Sequence, residues 1–264
     1  MIATAARVDL AAALPALQAH GGYPSLAEAI RIALNTASAH EDLRGARDAL
    51  LLLRRLTKET GIGADFSEGE RDIMVGTLFS QAIVLYARAT DTPPIKGERE
   101  PWFGSSKLPP ASRPVHAQAM ALRNKAIAHF GKAEALPEGA LLCEALVMRP
   151  IDGGAHIAFL ASRLQNRAHF AVDLLALTET VQDLAFKAVQ SRYADIGTEI
   201  FAAAKARDGV LIQILRPYLF DGALFFPGEG WQAQMDAMED DPRPVLYASV
   251  MKPDRTPESG SELA

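Results

Sequence analysis

The chain has 264 residues, of which 49% are hydrophobic, so it can bury one sizeable core, with or without an appended segment. Its net charge of -5 and pI near 5.7 exclude a protein that binds polyanions over its whole surface, so contact with nucleic acid would need a local basic patch. The single cysteine, Cys143, excludes a disulfide within the chain and a thiolate metal cluster, which fits a reducing cytoplasm.

The first 24 residues are predicted to form an N-terminal extension. They are rich in alanine, but Asp9 and Pro15 interrupt them, so they lack the continuous apolar region of a secretory signal. No stretch of the sequence approaches the ~18–20 apolar residues that a membrane-spanning helix needs. We therefore expect a cytoplasmic protein that makes no contact with a membrane.

Apolar residues recur at helical spacing between residues 24 and 90, which predicts helices over 24–40, 41–61 and 66–90. Ser67 followed by Glu70 predicts a capping box at the start of the third helix, in which each side chain accepts a backbone N–H of the other residue. One apolar line predicts the buried face of this helix: Val75, Leu78, Phe79, Ala82 and Tyr86.

Residues 91–114 contain six prolines, which exclude a regular helix and predict a long loop that is either functional or disordered. Pro114 ends the loop, and its fixed backbone angle suits the first turn of a helix. The sequence then predicts a helix from about 114 to 131, ended by Gly131.

The pattern changes after residue 135. Asp-Gly-Gly between two apolar runs, at 139–150 and 155–164, predicts a β-hairpin. Helical spacing returns at 169–192 and 196–207, whereas 209–220 fits either a strand or a buried helix.

These elements predict a mainly α fold. We expect a helical bundle over 25–135, followed by a small β-hairpin with additional C-terminal helices packed on it over 136–235. The last part of the chain, 236–264, is acidic and then contains Pro and Ser, which is typical of a mobile tail.

The stretch LRNKAIAHF, residues 122–130, places Arg123 and His129 in or beside the apolar face of the helix predicted over 114–131. A buried guanidinium needs an anionic partner, because an unpaired buried charge is very costly. Residues 111–133 contain no Asp or Glu, so the anion must come from another segment, another chain or a ligand. Phosphate matches the planar fork of an arginine side chain.

The surrounding segment is locally basic. Residues 88–132 contain eight Lys or Arg and three Asp or Glu, a local charge of +5, and they include Trp102 and Phe103. Basic groups together with aromatic rings suit single-stranded nucleic acid, which offers both phosphates and base faces. The alternative is a solvated loop whose Trp102 packs back on the core.

The motif Arg123-Asn124 followed by His129 resembles the signature of HEPN domains, helical modules with an arginine, a polar residue and then a histidine after a short spacer. An arginine followed by a histidine after a spacer of similar length also occurs at Arg149…His156 and Arg163…His169. The first of these crosses Pro150 and a Gly-Gly turn, and the second has leucine at the polar position. The resemblance covers about residues 25–135.

The resemblance implies a metal-independent ribonuclease that uses no cofactor, in which the sites of two protomers meet across a homodimer interface. His129 would be the general base, Arg123 would stabilise the phosphoryl oxygens, and Asn124 would orient His129 or a phosphate oxygen. Four further side chains would contact the RNA, three of them basic and one aromatic: Lys125, Arg88, Lys132 and Trp102.

Other functions fit the same sequence. His129 could be a core histidine bonded to a carbonyl group, and Arg123 could reach from the core edge to solvent. The bundle could bind RNA or a nucleotide without cleaving it, or recognise a partner such as a nucleotidyltransferase antitoxin in a toxin–antitoxin or phage-defence setting. It could also be a helical oligomeric scaffold.

Overall fold

The computed structural model describes residues 7–58, 66–91, 105–124, 143–151, 154–162, 168–206 and 209–222, together with residues 225, 230, 232–233 and 235. The described residues form a mainly α fold with one small antiparallel hairpin, as predicted. The elements in chain order are α1 (Leu10–His20), α2 (Pro24–Lys58), α3 (Glu68–Thr90), α4 (Arg113–Leu122), β1 (Cys143–Ile151), β2 (Gly154–Ser162), α5 (Ala168–Lys205) and α6 (Gly209–Leu215). The tail predicted over 236–264 lies outside the described residues.

The chain forms two compact units. The larger consists of residues 32–191, and the smaller combines residues 1–31 with 192–264. The larger unit therefore contains α3, α4, the hairpin and most of α2 and α5. From the sequence, these segments are expected in two separate regions, 25–135 and 136–235.

A helical bundle forms the core of the larger unit. Its buried side chains come from α2, α3, α4 and α5, together with Leu108 of the loop before α4. Burial of an aliphatic or aromatic side chain of this kind contributes about 1.5–3 kcal/mol. The largest fully buried members are Leu43, Leu50, Phe79, Ile83, Tyr86, Leu108, Leu122, Phe170, Leu174 and Val181.

The start and the buried face of α3 agree with the sequence analysis. Ser67 accepts a hydrogen bond from the Glu70 backbone N–H at 3.3 Å, and Glu70 accepts one from the Ser67 N–H at 2.8 Å, so the capping box is confirmed. Of the predicted apolar line, Leu78 is half-buried and the other four members are buried. Among the described helices α3 alone has the length and apolar composition of a membrane span. Its buried residues, among them Phe79 and Tyr86, pack inside the bundle, whereas Ile73 and Val84 are exposed.

Two predicted breaks are absent. The segments predicted as separate helices at 24–40 and 41–61 are continuous in α2 as far as Lys58, and those at 169–192 and 196–207 are continuous in α5 as far as Lys205. The ambiguous segment 209–220 begins as the helix α6 and continues to an isolated β-bridge between Leu219 and Val8.

The smaller unit has its own core, formed by α1, α6 and the ends of the two long helices that belong to this unit. Asp9 caps α1 by accepting a hydrogen bond from the Ala12 N–H at 2.9 Å, and Gly21 ends that helix with a φ of 69°, which favours glycine. The buried residues are Ala13, Leu17, Leu26, Ala27, Ile30, Leu211 and Leu215.

The hairpin pairs β1 with β2 from Cys143↔Ser162 to Ile151↔Gly154. Because side chains alternate along a strand, Leu146, Met148, Ile157 and Phe159 share one face of this two-stranded sheet. Val147, Arg149 and His156 share the other face. The described side chains of both strands are exposed or half-exposed, so neither face belongs to the core.

Candidate functional site

Arg123 lies at the end of the buried face of α4. It follows His116 by seven residues and Met120 by three, so it continues a line of buried side chains and is itself half-buried. Its backbone is helical (φ -56°, ψ -51°), and its N–H donates to the carbonyls of Ala119 and Met120. The predicted position of Arg123 beside the apolar face is confirmed.

Asn124 engages the side chain of Arg123. The Arg123 Nη1 donates a hydrogen bond of 2.8 Å to the Asn124 Oδ1, and the Asn124 side chain is exposed. The acceptor is a neutral amide oxygen, and within residues 111–133 the chain has no carboxylate that could neutralise the guanidinium. The two residues therefore present one positive charge at the border between core and solvent.

The remaining predicted residues of this site are His129, Lys125, Lys132 and Trp102. All four lie outside the described residues, as does the part of the predicted helix beyond Asn124. Of the predicted catalytic group the structure thus brings together Arg123 and Asn124.

Arg88, in the last turn of α3, has a partner on α2. Its Nε donates a hydrogen bond of 2.8 Å to Oδ2 of Asp42, and its Nη2 donates to Oδ1 of the same carboxylate. Asp42 is only 5% exposed, whereas the Arg88 side chain is 54% exposed. The hydrogen bond to Asp42 is the main cause that raises the pKa of Arg88. Arg88 therefore neutralises a buried carboxylate, and only its outer part can meet a ligand.

Tyr86 and His116 form a buried polar pair between α3 and α4. The Tyr86 hydroxyl lies 3.0 Å from the His116 Nδ1, and the two rings meet edge to face with centroids 5.8 Å apart. Burial lowers the pKa of His116 and raises that of Tyr86, so both are neutral near pH 7. The charge of Asp91, at the end of α3, opposes the first shift and adds to the second.

Sequence reasoning gave His116 no partner, although a signal was present. Tyr86 is on the predicted buried face of its helix, and His116 is on an apolar line of the next helix. Since buried polar groups nearly always form hydrogen bonds, two of them on consecutive helices could have been paired.

His40 is a second buried histidine, in the middle of α2. Its ring centroid lies 6.0 Å from that of Phe186 on α5, and its Nδ1 has no hydrogen-bond partner among the described residues. Burial is the main cause that lowers its pKa, while the charge of Glu41 raises it and that of Arg44 lowers it. The imidazole of His40 is therefore neutral near pH 7 and lies beside the ring of Phe186.

No group of three or more histidine, cysteine or carboxylate side chains that could hold a metal ion occurs in the described part of the chain. The described polar groups at the end of α4 are a guanidinium and an amide. Comparison with protein-family models finds none that matches the chain, and comparisons with curated proteins and with solved structures find no match either.

Proposed function

We propose that the protein is a metal-independent RNA endonuclease of HEPN type, with Arg123, Asn124 and His129 as its catalytic group. The observation that carries the proposal is the position of Arg123: the residue is half-buried at the end of α4, and its guanidinium is bonded to a neutral amide oxygen. A cation held in this way, without a carboxylate in its own segment, favours an anionic ligand.

The reaction needs only groups that the chain and RNA supply. His129 takes the proton of a ribose 2′-OH, and the 2′-oxygen attacks the adjacent phosphorus. The P–O5′ bond breaks, leaving a 2′,3′-cyclic phosphate on one product. The 5′-oxygen of the other product takes a proton from water, and the imidazolium of His129 returns its proton to the solvent. Arg123 stabilises the negative charge on the phosphoryl oxygens during the attack, and Asn124 keeps the guanidinium in place.

Binding of the RNA backbone relies on the local positive charge of residues 88–132. Lys125 and Lys132 contact phosphates, the exposed part of Arg88 adds a further contact, and Trp102 stacks on a base. The site of a second protomer meets this one in a homodimer, and an antitoxin of nucleotidyltransferase type is a suitable partner.

The test is incubation of the purified protein with total RNA in excess EDTA, followed by analysis of the product ends. We expect cleavage with 2′,3′-cyclic phosphate ends, and a loss of at least about 100-fold in rate for Arg123→Ala and for His129→Ala. Arg54→Ala and His169→Ala, which change exposed residues of α2 and α5, are the matched controls and should keep full activity. Full activity of His129→Ala would exclude this mechanism.

A non-catalytic role is the second candidate, as an RNA- or nucleotide-binding or partner-recognition module, or as an oligomeric scaffold. Its support is the hairpin, which exposes large apolar side chains on a two-stranded sheet. RNA binding without any product would favour a binding module, and absence of RNA affinity together with oligomer formation would favour a scaffold.

A further inference from the structure

The hydrogen bond from Arg123 determines which way the amide of Asn124 faces. A guanidinium carries only hydrogen-bond donors, so the atom that accepts from its Nη1 at 2.8 Å must be the amide oxygen, Oδ1. The other polar atom of Asn124, Nδ2, carries two N–H groups, and no described residue accepts a hydrogen bond from it. Asn124 is exposed, so a ligand can approach this amide from solvent.

The two side chains together offer a group of neighbouring donors. Since the oxygen and the nitrogen of one amide lie about 2.3 Å apart, Nδ2 of Asn124 is within about 5 Å of Nη1 of Arg123. The guanidinium has further N–H groups on Nη2 and Nε. Several donors and one positive charge at this spacing match an anion with more than one acceptor oxygen, and residues 111–133 contain no carboxylate of their own.

We propose that Arg123 and Asn124 bind the two non-bridging oxygens of one RNA phosphodiester, the guanidinium one oxygen and Nδ2 of Asn124 the other. This inference rests on the proposed nuclease function, and it gives Asn124 a direct contact with the reacting phosphate in addition to holding the guanidinium. Both non-bridging oxygens gain negative charge while the 2′-oxygen attacks, so each donor binds the transition state more tightly than the bound RNA.

The same hydrogen bond argues against Asn124 as the residue that orients His129. A histidine that acts as general base accepts a proton on one ring nitrogen and carries a hydrogen on the other. Nδ2 is a donor, so it could bond only to the unprotonated nitrogen, where it would compete with the 2′-OH. Oδ1 could accept from the protonated nitrogen, but it already accepts from Arg123. Of the two roles that the sequence allows for Asn124, this geometry favours contact with a phosphate oxygen.

Replacing one non-bridging oxygen of the scissile phosphate by sulfur tests this contact, because sulfur is a weak hydrogen-bond acceptor. The replacement gives two diastereomers, which differ in the oxygen position that the sulfur occupies. We expect Asn124→Ala to slow cleavage of the all-oxygen substrate at least about tenfold. It should slow one diastereomer much less, because the sulfur has already removed the contact with Nδ2. Arg54→Ala, which changes an exposed residue of α2, is the control and should cleave all three substrates at the wild-type rates. Equal slowing of all three by Asn124→Ala would show that Asn124 only positions the guanidinium, and would overturn the proposal.

Binding provides a second test, which does not depend on cleavage. A single-stranded oligonucleotide whose 2′-hydroxyls are methylated keeps its phosphodiesters but has no nucleophile. Its addition should shift the side-chain amide NMR signals of Asn124, assigned by their absence in Asn124→Ala, and leave those of Gln190, exposed on α5, in place. Binding of the oligonucleotide without this shift would overturn the proposal whether or not the protein cleaves RNA. A wild type that neither binds nor cleaves RNA would overturn the proposed function as well.

Discussion

The hydroxyl of Tyr86 lies 3.0 Å from Nδ1 of His116, and this buried hydrogen bond joins the end of α3 to the start of α4. The two residues flank the proline-rich loop, so the bond fixes where that loop leaves and re-enters the bundle. Neither group can turn to water as a replacement partner, because both side chains are buried.

Tyr86→Phe should therefore destabilise the protein without changing its packing. The phenyl ring fits the same space, but Nδ1 of His116 loses its partner, which should lower the free energy of unfolding by about 1–3 kcal/mol. Urea denaturation above the ordinary histidine pKa of about 6.5 measures this change. Tyr193→Phe is the control: it removes the hydroxyl of a tyrosine on α5 that is 42% exposed, and it should lower the free energy of unfolding by less than Tyr86→Phe does. Equal stability of the two variants would contradict the importance of the bond.

The buried His40 predicts a loss of stability in acid. Burial lowers its pKa in the folded chain, so the unfolded chain takes up a proton at higher pH than the folded one. The contribution to stability is complete above the unfolded pKa of about 6.5 and decreases as the pH falls below it. His116 acts in the same direction, since burial also lowers its pKa.

His40→Leu should make the stability less dependent on pH. Leucine needs no partner at the position of Nδ1 and cannot be protonated, so the variant should lose less stability than the wild type when the pH is lowered from about 7.5 to about 5.5. Denaturation curves at both pH values provide the comparison. His169→Leu replaces an exposed histidine at the start of α5 and should keep the pH dependence of the wild type. An unchanged dependence in His40→Leu would count against this account.

The ion pair of Asp42 and Arg88 predicts an asymmetric response to mutation. Arg88→Met removes the arginine that donates to both oxygens of the buried Asp42 carboxylate, which should lower the free energy of unfolding by about 2–4 kcal/mol. This is less than for a fully buried pair, because the Arg88 side chain is half-exposed. Adding Asp42→Asn to Arg88→Met removes the buried charge and should restore part of the stability.

Arg192→Met is the matched control for this pair. It removes an arginine whose partner, Asp195, is exposed on the same helix at 3.1 Å, and such pairs contribute about 1 kcal/mol or less. Because Arg88→Met itself destabilises the fold, RNA binding by this variant should be measured under conditions in which the variant is folded. A loss of binding under those conditions would indicate a phosphate contact.

Local signals in the sequence predicted those parts of the fold that depend on neighbouring residues. The capping box of Ser67 and Glu70, the pairing of β1 with β2 and the buried face of α3 all follow from spacing within a few residues. The position of Arg123 beside an apolar face followed in the same way, from helical periodicity alone.

Interactions between distant residues explain what the sequence could not predict. Glu41 and Asp42 resemble the acidic first turn of a new helix, but α2 continues through them, and Asp42 pairs with Arg88, 46 residues later in the chain. The segment after α6 is extended because the Phe220 N–H donates to the Arg7 carbonyl, more than 200 residues earlier in the chain. No local pattern contains either partner.

The capping box itself can be tested against another serine at a helix start. Ser67→Ala removes a side chain that accepts the Glu70 N–H, so it should lower the free energy of unfolding by about 0.5–2 kcal/mol. Ser112→Ala is the control, because Ser112 precedes α4 without capping it through its side chain and should cost at most about 0.5 kcal/mol. Thermal or urea denaturation of both variants gives the comparison, and a larger effect of Ser112→Ala would contradict the role of the box.

The hydrogen bond from Arg123 to Asn124 allows the charge of the proposed RNA site to be changed without removing the arginine. Asn124→Asp has the same shape but places a carboxylate on the guanidinium, so it neutralises the charge that we expect to meet a phosphate. Affinity for single-stranded RNA should decrease, and the slope of log K against log salt should become shallower by about 0.7, the value for one phosphate contact. Asn124→Ala loses the same amide but keeps the positive charge, so its slope should equal that of the wild type. If Asn124→Asp binds RNA with an unchanged slope, Arg123 does not contact the RNA backbone, and the proposed site must lie elsewhere.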